Sequence, residues 1–170
     1  MFVTSDGALG KLIDGEGKVI AIASWVSSNT PNFKHKRILD IGFGLGHNTL
    51  PLAMAFPDAE IIWIYSGGIP MLRYGHARVA ALGIKNVKFM QLNAEDTEFE
   101  SESFDWIQTT MFLHETSMKA MFKIGKEIFR MLKPNGPSLH IEQPQYSEKM
   151  PLFEQFIRDW YAFNNNEPFW

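Results

Sequence analysis

Hydrophobic positions in this chain alternate between two kinds of segment. Short apolar runs occur at 37–41 (Arg-Ile-Leu-Asp-Ile), 60–65 (Glu-Ile-Ile-Trp-Ile-Tyr), 87–92 (Val-Lys-Phe-Met-Gln-Leu), 104–109 (Phe-Asp-Trp-Ile-Gln-Thr) and 138–142 (Ser-Leu-His-Ile-Glu). Runs of this length and composition, bounded by turn residues, predict strands buried on both faces. The segments between them carry helical spacing. Val19, Ile20, Ile22, Trp25 and Val26 share one face of a helix over 18–28, which Asn29-Thr-Pro-Asn32 ends. A second helix runs from about His47 to Phe56, with Pro51 early enough that its missing N–H costs little. Pro70 opens a third, over 71–82, and Gly83 stops it. Ser117 caps a fourth, which runs to about Leu132 and ends at Lys133-Pro-Asn-Gly136. The last, from Glu148 to Phe163, aligns Leu152, Phe153, Phe156, Ile157 and Trp160. Residues 1–17, with Gly7, Gly10, Gly15 and Gly17 among polar neighbours, read as a loop.

Five alternations of strand and helix predict an α/β fold: a Rossmann-like, doubly wound parallel sheet in a three-layer α/β/α sandwich. Ligands of such sheets bind beyond the carboxyl ends of the central strands. The expected site is therefore the set of loops 42–48, 65–69, 93–96 and 109–115.

Composition narrows the function. The 170 residues suit one domain with a sizeable core, and 45% hydrophobic with 21% charged residues is ordinary for a globular protein. A net charge of −3 gives no pull toward nucleic acid or an anionic membrane. Without cysteine there is no disulfide framework and no thiolate chemistry. The histidines lack metal-ligand spacing, and His140 with Glu142 is too sparse a pair to hold a metal. No signal-like or membrane-length apolar run occurs, so a cytoplasmic location is expected.

The chemistry concentrates after the first apolar run, where Asp40 precedes alternating glycines Gly42, Gly44 and Gly46. A strand, a glycine turn and a helix let the backbone approach a nucleotide-like ligand, because glycine has no Cβ to clash. A dinucleotide fingerprint, G-x-G-x-x-G, needs a third glycine where this chain has His47, so a nicotinamide-dependent oxidoreductase is disfavoured.

The D-x-G-x-G-x-G pattern resembles motif I of the class I S-adenosylmethionine-dependent methyltransferases. Four further segments resemble that family's motifs in order: Gly67-Gly-Ile-Pro-Met-Leu-Arg-Tyr-Gly75, Asn93-Ala-Glu-Asp96, Ser103-Phe-Asp-Trp-Ile-Gln-Thr-Thr-Met-Phe-Leu-His-Glu115 and Arg130-Met-Leu-Lys-Pro-Asn-Gly136. The match spans roughly 18–145. The resemblance implies S-adenosylmethionine as cofactor, S-adenosylhomocysteine as product and a small-molecule acceptor. It places Asp40, Gly42, Gly44, Gly46, Ser66, Gly67, Met71, Asn93, Ala94 and Thr109 against the cofactor.

Two departures temper the resemblance. Ser66 stands where the family has the acid that clamps the ribose, and no strand-like run follows Glu142. The fold is therefore expected to lack the family's sixth and seventh strands, as though truncated. The fifth strand would then be a bare edge, covered by 148–170 or by a second copy in a homodimer. A degenerate, non-catalytic binding or assembly module is the alternative function.

Individual residues keep two readings. Asp40 either contacts the cofactor or stiffens the glycine turn. Asn48 suits a helix cap, and His47 is equally suited to capping or to the cofactor carboxylate. His114 with Glu115 is the pair suited to proton transfer near neutral pH, although a packing role for His114 is the more common outcome.

Overall fold

A computed structural model describes residues 2–4, 15–31, 34–42, 48–67, 69–142 and 149–165. In chain order the elements are β1 (Phe2–Thr4), α1 (Gly15–Asn29), β2 (Arg37–Gly42), α2 (Thr49–Ala55), β3 (Glu60–Tyr65), α3 (Ile69–Leu82), β4 (Val87–Gln91) and β5 (Trp106–Thr110). A 3₁₀ turn (Leu113–Glu115), α4 (Met118–Met131), β6 (Ser138–Glu142) and α5 (Leu152–Asn165) complete them. The strands form one sheet of order β1-β6-β5-β2-β3-β4, and every pairing is parallel.

The apolar runs become strands because successive side chains find cover on opposite faces. Ile38, Ile61 and Trp106 bury against Ile22 and Val26 of α1 and Leu52 and Ala53 of α2. Trp63, Tyr65 and Phe89 gather with Leu50 of α2 and Val79 of α3. The alternate residues Leu39, Ile41, Ile62, Ile64 and Ile107 meet Ile124, Ile128 and Met131 of α4. Two helical layers enclosing one parallel sheet is the expected α/β/α architecture.

Three expectations change. Residues 1–17 are not all loop: Phe2–Thr4 pairs with His140–Glu142, and α1 begins at Gly15. Three residues carry too little pattern to predict a strand, because the partner hydrogen bonds come from a segment far along the chain. That pairing also covers the β6 edge, so neither residues 148–170 nor a second copy is needed there. Finally, the fourth run becomes a strand only at Trp106, since Phe104 bridges Leu132 instead. Beyond β6, α5 is helical as its spacing predicts, yet Phe153, Phe156, Trp160 and Phe163 face solvent.

At the amino ends of the strands, Asp105 is a structural hub. Its Oδ2 accepts from the backbone N–H groups of Lys36 and Arg37, both at 2.8 Å, and Lys133 Nζ donates to Oδ1 at 2.6 Å. A Cβ on Gly136 would lie 2.8 Å from the Asp105 carbonyl oxygen, so this turn requires glycine there. The Arg130–Gly136 motif is thus a brace beneath the sheet. Among the described residues, no helix is long and apolar enough to cross a membrane and no His, Asp and Glu cluster suits a metal.

Candidate functional site

Strand order reverses between β2 and β5: from β2 the chain adds β3 and β4 on one side, and β5, β6 and β1 lie on the other. A crevice opens at the carboxyl ends of two strands whose connections leave in opposite directions, which is where open α/β sheets bind ligands. Asp40 lies at this point on β2, only 3% exposed. Its Oδ2 accepts from Thr49 Oγ1 at 2.7 Å, and its Oδ1 from Gln108 Nε2 at 3.2 Å. Both donors are neutral, and no described cation pairs with it. Burial pushes the Asp40 carboxyl above its ordinary range, against the smaller opposing pull of these two hydrogen bonds.

Two buried polar atoms near Asp40 lack hydrogen-bond partners among the described residues: Gln108 Oε1 and Thr110 Oγ1, both on β5. Buried polar atoms are nearly always paired, and unpaired ones call for a ligand or water. The Gly42 backbone also runs close to β5. A Cβ there would lie 3.2 Å from the Thr110 carbonyl oxygen and 3.9 Å from Phe112 Cβ. A buried carboxyl group with no described cation beside it, next to orphaned polar atoms and close-packed backbone, fits a ligand with a cationic end.

At the end of β3, Ser66 is exposed and the Tyr65 ring folds back over Gly67, where a Cβ would collide with it. Gln91 Nε2 donates to the Gly67 carbonyl at 3.1 Å, joining the loops after β3 and β4. Met71 is half-buried against the Trp63–Tyr65 cluster, whose two rings stack at 5.4 Å. After β4, the Asn93 side chain accepts from the Glu95 N–H at 3.0 Å, and Ala94 is buried in the α4-side core. Glu127 of α4 fixes that loop: one carboxylate oxygen accepts from Thr97 N at 2.9 Å and Thr97 Oγ1 at 2.7 Å, and Arg130 binds both oxygens.

The loop after β5 begins with Met111 at φ 49, a left-handed conformation that a non-glycine residue holds only under structural constraint. Glu142, the last residue of β6, secures the 3₁₀ turn beyond it. Its Oε1 accepts from Phe112 N at 3.1 Å and Leu113 N at 2.8 Å, while Oε2 lies 2.5 Å from His114 Nδ1. Burial raises the Glu142 carboxyl, but the His114, Leu113 and Phe112 hydrogen bonds outweigh it and leave it below the ordinary range.

The structure therefore brings Asp40, Gly42, Ser66, Gly67, Met71, Asn93 and Ala94 to one end of the sheet. Gly44, Gly46 and His47 lie outside the described residues. Thr109 points to the α4 face, is fully buried, and its hydroxyl lies 2.9 Å from His140 Nδ1. The side of β5 that faces Asp40 is that of Gln108 and Thr110, and strand alternation from Asp40's hydrogen-bond partner would have found both. Asn48 makes no side-chain cap: its backbone is already helical, at φ −94° and ψ −37°, rather than in the extended conformation a capping residue adopts. A separate groove of about 540 Å³, lined by Thr30, His35, Phe56 and Asp58 among others, lies at the opposite end of the sheet and includes none of these loops.

Known proteins match this arrangement. Residues 38–136 fit the sequence model of a family described as "Methyltransferase domain". The chain is 29% identical over 134 residues to the ubiquinone/menaquinone biosynthesis C-methyltransferase UbiE of Psychromonas ingrahamii, covering 77% of this chain and 51% of that one. It thus spans about half the length of the curated relatives it matches. The crystal structure of YcgJ from Bacillus subtilis superposes with a TM-score of 0.63 at 26% identity, over 84% of this chain and 58% of that one. PKMT2 of Rickettsia typhi, solved in complex with AdoHcy, gives a TM-score of 0.56 at 25% identity, over 61% and 20%.

Proposed function

This chain belongs to the class I S-adenosylmethionine-dependent methyltransferase family, and from that premise we propose that it binds S-adenosylmethionine across the β2–β5 crevice and methylates a small molecule. The observation that carries the reading is the buried Asp40 carboxylate, which meets only neutral donors at the switch point. When bound, the cofactor supplies a methyl group already activated on a cationic sulfur. Asp40 would hold its ammonium group, a cation whose approach favours the ionised carboxylate that burial disfavours.

Gly42 lets the backbone approach, with Gly44 and Gly46 expected to continue the cradle. Ser66 and Gly67 are suited to the ribose, and Met71, Asn93 and Ala94 to the adenine side. The methionine-side contact expected of Thr109 passes to Thr110, whose hydroxyl is the unpartnered one. The remaining work is to hold the acceptor in line with the methyl group, since positioning dominates such transfers. A cytoplasmic location is part of this reading, and cell fractionation tests it. Self-association would run through the exposed apolar face of α5, formed by Phe153, Phe156, Trp160 and Phe163, and sedimentation across a concentration series tests it.

Thermal unfolding with S-adenosylhomocysteine, S-adenosylmethionine and NAD tests the main reading. The first two ligands at about 100 times their dissociation constants should add about 2.7 kcal/mol, a rise of several degrees, and NAD should add nothing. No rise with either sulfur ligand contradicts the proposal. Ser66 in place of a carboxylate favours the alternative of a binding module, and transfer of a labelled methyl group separates it from an enzyme.

A further inference from the structure

We propose that two copies of this chain pair by packing the apolar seam of α5 in each copy against a matching seam on α4 of the other. The inference rests on the self-association reading and names the surface that α5 meets.

The seam on α4 is a second apolar face on a helix that already has one. Ile124, Ile128 and Met131 bury against the sheet, as the inner face of an outer helix must. The side away from the sheet is ordinarily polar. Here Met118, Phe122 and Phe129 lie exposed on it. With Gly125 they fall at spacings of four, three and four residues. That spacing keeps all four on one line along the helix, as in the seam between two packed helices.

The complementary pattern lies on α5, where Phe153, Phe156, Trp160 and Phe163 follow at spacings of three, four and three. Each seam covers about three helical turns, so the two match in length. Their size also fits a dimer. The six aromatic rings of the two seams are between 51% and 86% exposed. A whole ring offers ~150–250 Å², so together they present roughly 800 Å² per copy, which is about what each partner contributes to a stable interface.

Shape selects α4 as the surface that α5 meets. The α5 seam is bulky at every position, and two such seams would hold each other's axes apart. The α4 seam has a notch at Gly125, between Phe122 and Phe129. Glycine inside a helix is less stable than alanine, and no described atom lies within 4 Å of where a Cβ would sit. The fold of one copy therefore gives no reason for a glycine there, whereas an aromatic knob from a second copy needs the hole. A two-fold arrangement fills both notches and covers both pairs of seams at once.

Sedimentation velocity from low to high micromolar protein tests the pairing, and the wild type should form dimers. Gly125→Leu adds apolar surface to the α4 seam but fills its notch. It should weaken the dimer about tenfold or more, with helix content by circular dichroism undiminished. The chain has no cysteine, so introduced thiols report the contact without background. Gly125→Cys copies are oxidised in one mixture with Phe156→Cys copies and in another with Trp160→Cys copies. Mixed disulfide dimers should form in at least one, according to whether the helices run parallel or antiparallel. A wild type that stays monomeric overturns the self-association reading and this inference together, and assigns the seams to another occupant. If dimers form but Gly125→Leu leaves them as tight or tighter, or neither mixture yields mixed disulfides, only the pairing of α5 with α4 is overturned.

Discussion

Two aspartates buried in the same sheet have opposite circumstances. Asp105, at the amino ends of the strands, holds two backbone N–H groups and the Lys133 ammonium. Asp40, at the carboxyl ends, holds one hydroxyl and one amide, with no described cation beside it. A buried carboxylate is tolerable when a cation and N–H donors satisfy it, and costly when they do not. The difference separates scaffold from site. The satisfied acid ties β2, β5 and the turn before β6 together, while the unsatisfied one marks where a positive group from outside is expected.

The most damaging way to break the comparison is Asp105→Ala. It strands two backbone N–H groups at about 1–3 kcal/mol each, while the partly exposed Lys133 ammonium returns to water, and the loss is seen as a lower urea midpoint. Affinity for S-adenosylhomocysteine per folded molecule should be unchanged, and a binding loss without a stability loss would reverse the roles assigned to the two ends.

Glu127→Gln is next, at about 2–3 kcal/mol. The hydrogen bond from Arg130, with those from Thr97, brings the Glu127 carboxyl from 4.5 to about 2 against the effect of burial. A depressed folded-state value means stability that is present above pH 4.5 and lost as pH falls toward 2. Wild type should show that acid-side slope and the variant should lack most of it. An equal slope in both would mean that Arg130 and Thr97 do not hold the carboxylate.

Ser66→Asp adds an acid to the site end. A carboxylate accepting from ribose hydroxyls in place of one neutral bond should tighten S-adenosylhomocysteine about tenfold, or ~1.4 kcal/mol, by calorimetry. Unchanged or weaker binding would mean that this loop holds the ribose by other groups.

Asp40→Asn has the smallest effect on folding, and it has the opposite sign. Burial raises the Asp40 carboxyl above its ordinary 3.8 in the folded protein. Its contribution is therefore fully present below that value and lost as pH rises through the folded-state value. Without ligand, the variant should be the more stable protein at neutral pH by on the order of 1 kcal/mol, and the advantage should vanish in acid. Destabilisation at neutral pH would mean that Thr49 and Gln108 already satisfy the charge.

Much of this was legible in the pattern of residues, and the exceptions share a cause. The core strands were readable because Ile38, Leu39, Ile61 and Ile62 find cover on both sides of the sheet. The strand at Phe2–Thr4 was not, because its pairing belongs to β6, more than a hundred residues away. The apolar stripe of α5 predicted a helix correctly but not its exposure, since periodicity describes a face without naming what meets it. Glycine spacing pointed to the carboxyl end of the sheet, where strand order reverses and the candidate site lies. Gln108, Thr110 and Glu142 stayed hidden, because their significance comes from atoms on other strands. The Arg130–Gly136 motif helped to identify the family while doing its work at the other end, beneath Asp105.

The central claim is that Asp40 awaits the ammonium end of the cofactor. Calorimetry of wild type and Asp40→Asn, each with S-adenosylhomocysteine and with methylthioadenosine, which lacks the amino-acid moiety, tests it most directly. The account predicts that the substitution weakens S-adenosylhomocysteine about tenfold, the loss of one charge-assisted contact of about 1.4 kcal/mol, and leaves methylthioadenosine unchanged. Equal weakening of both ligands, or of neither, would contradict it.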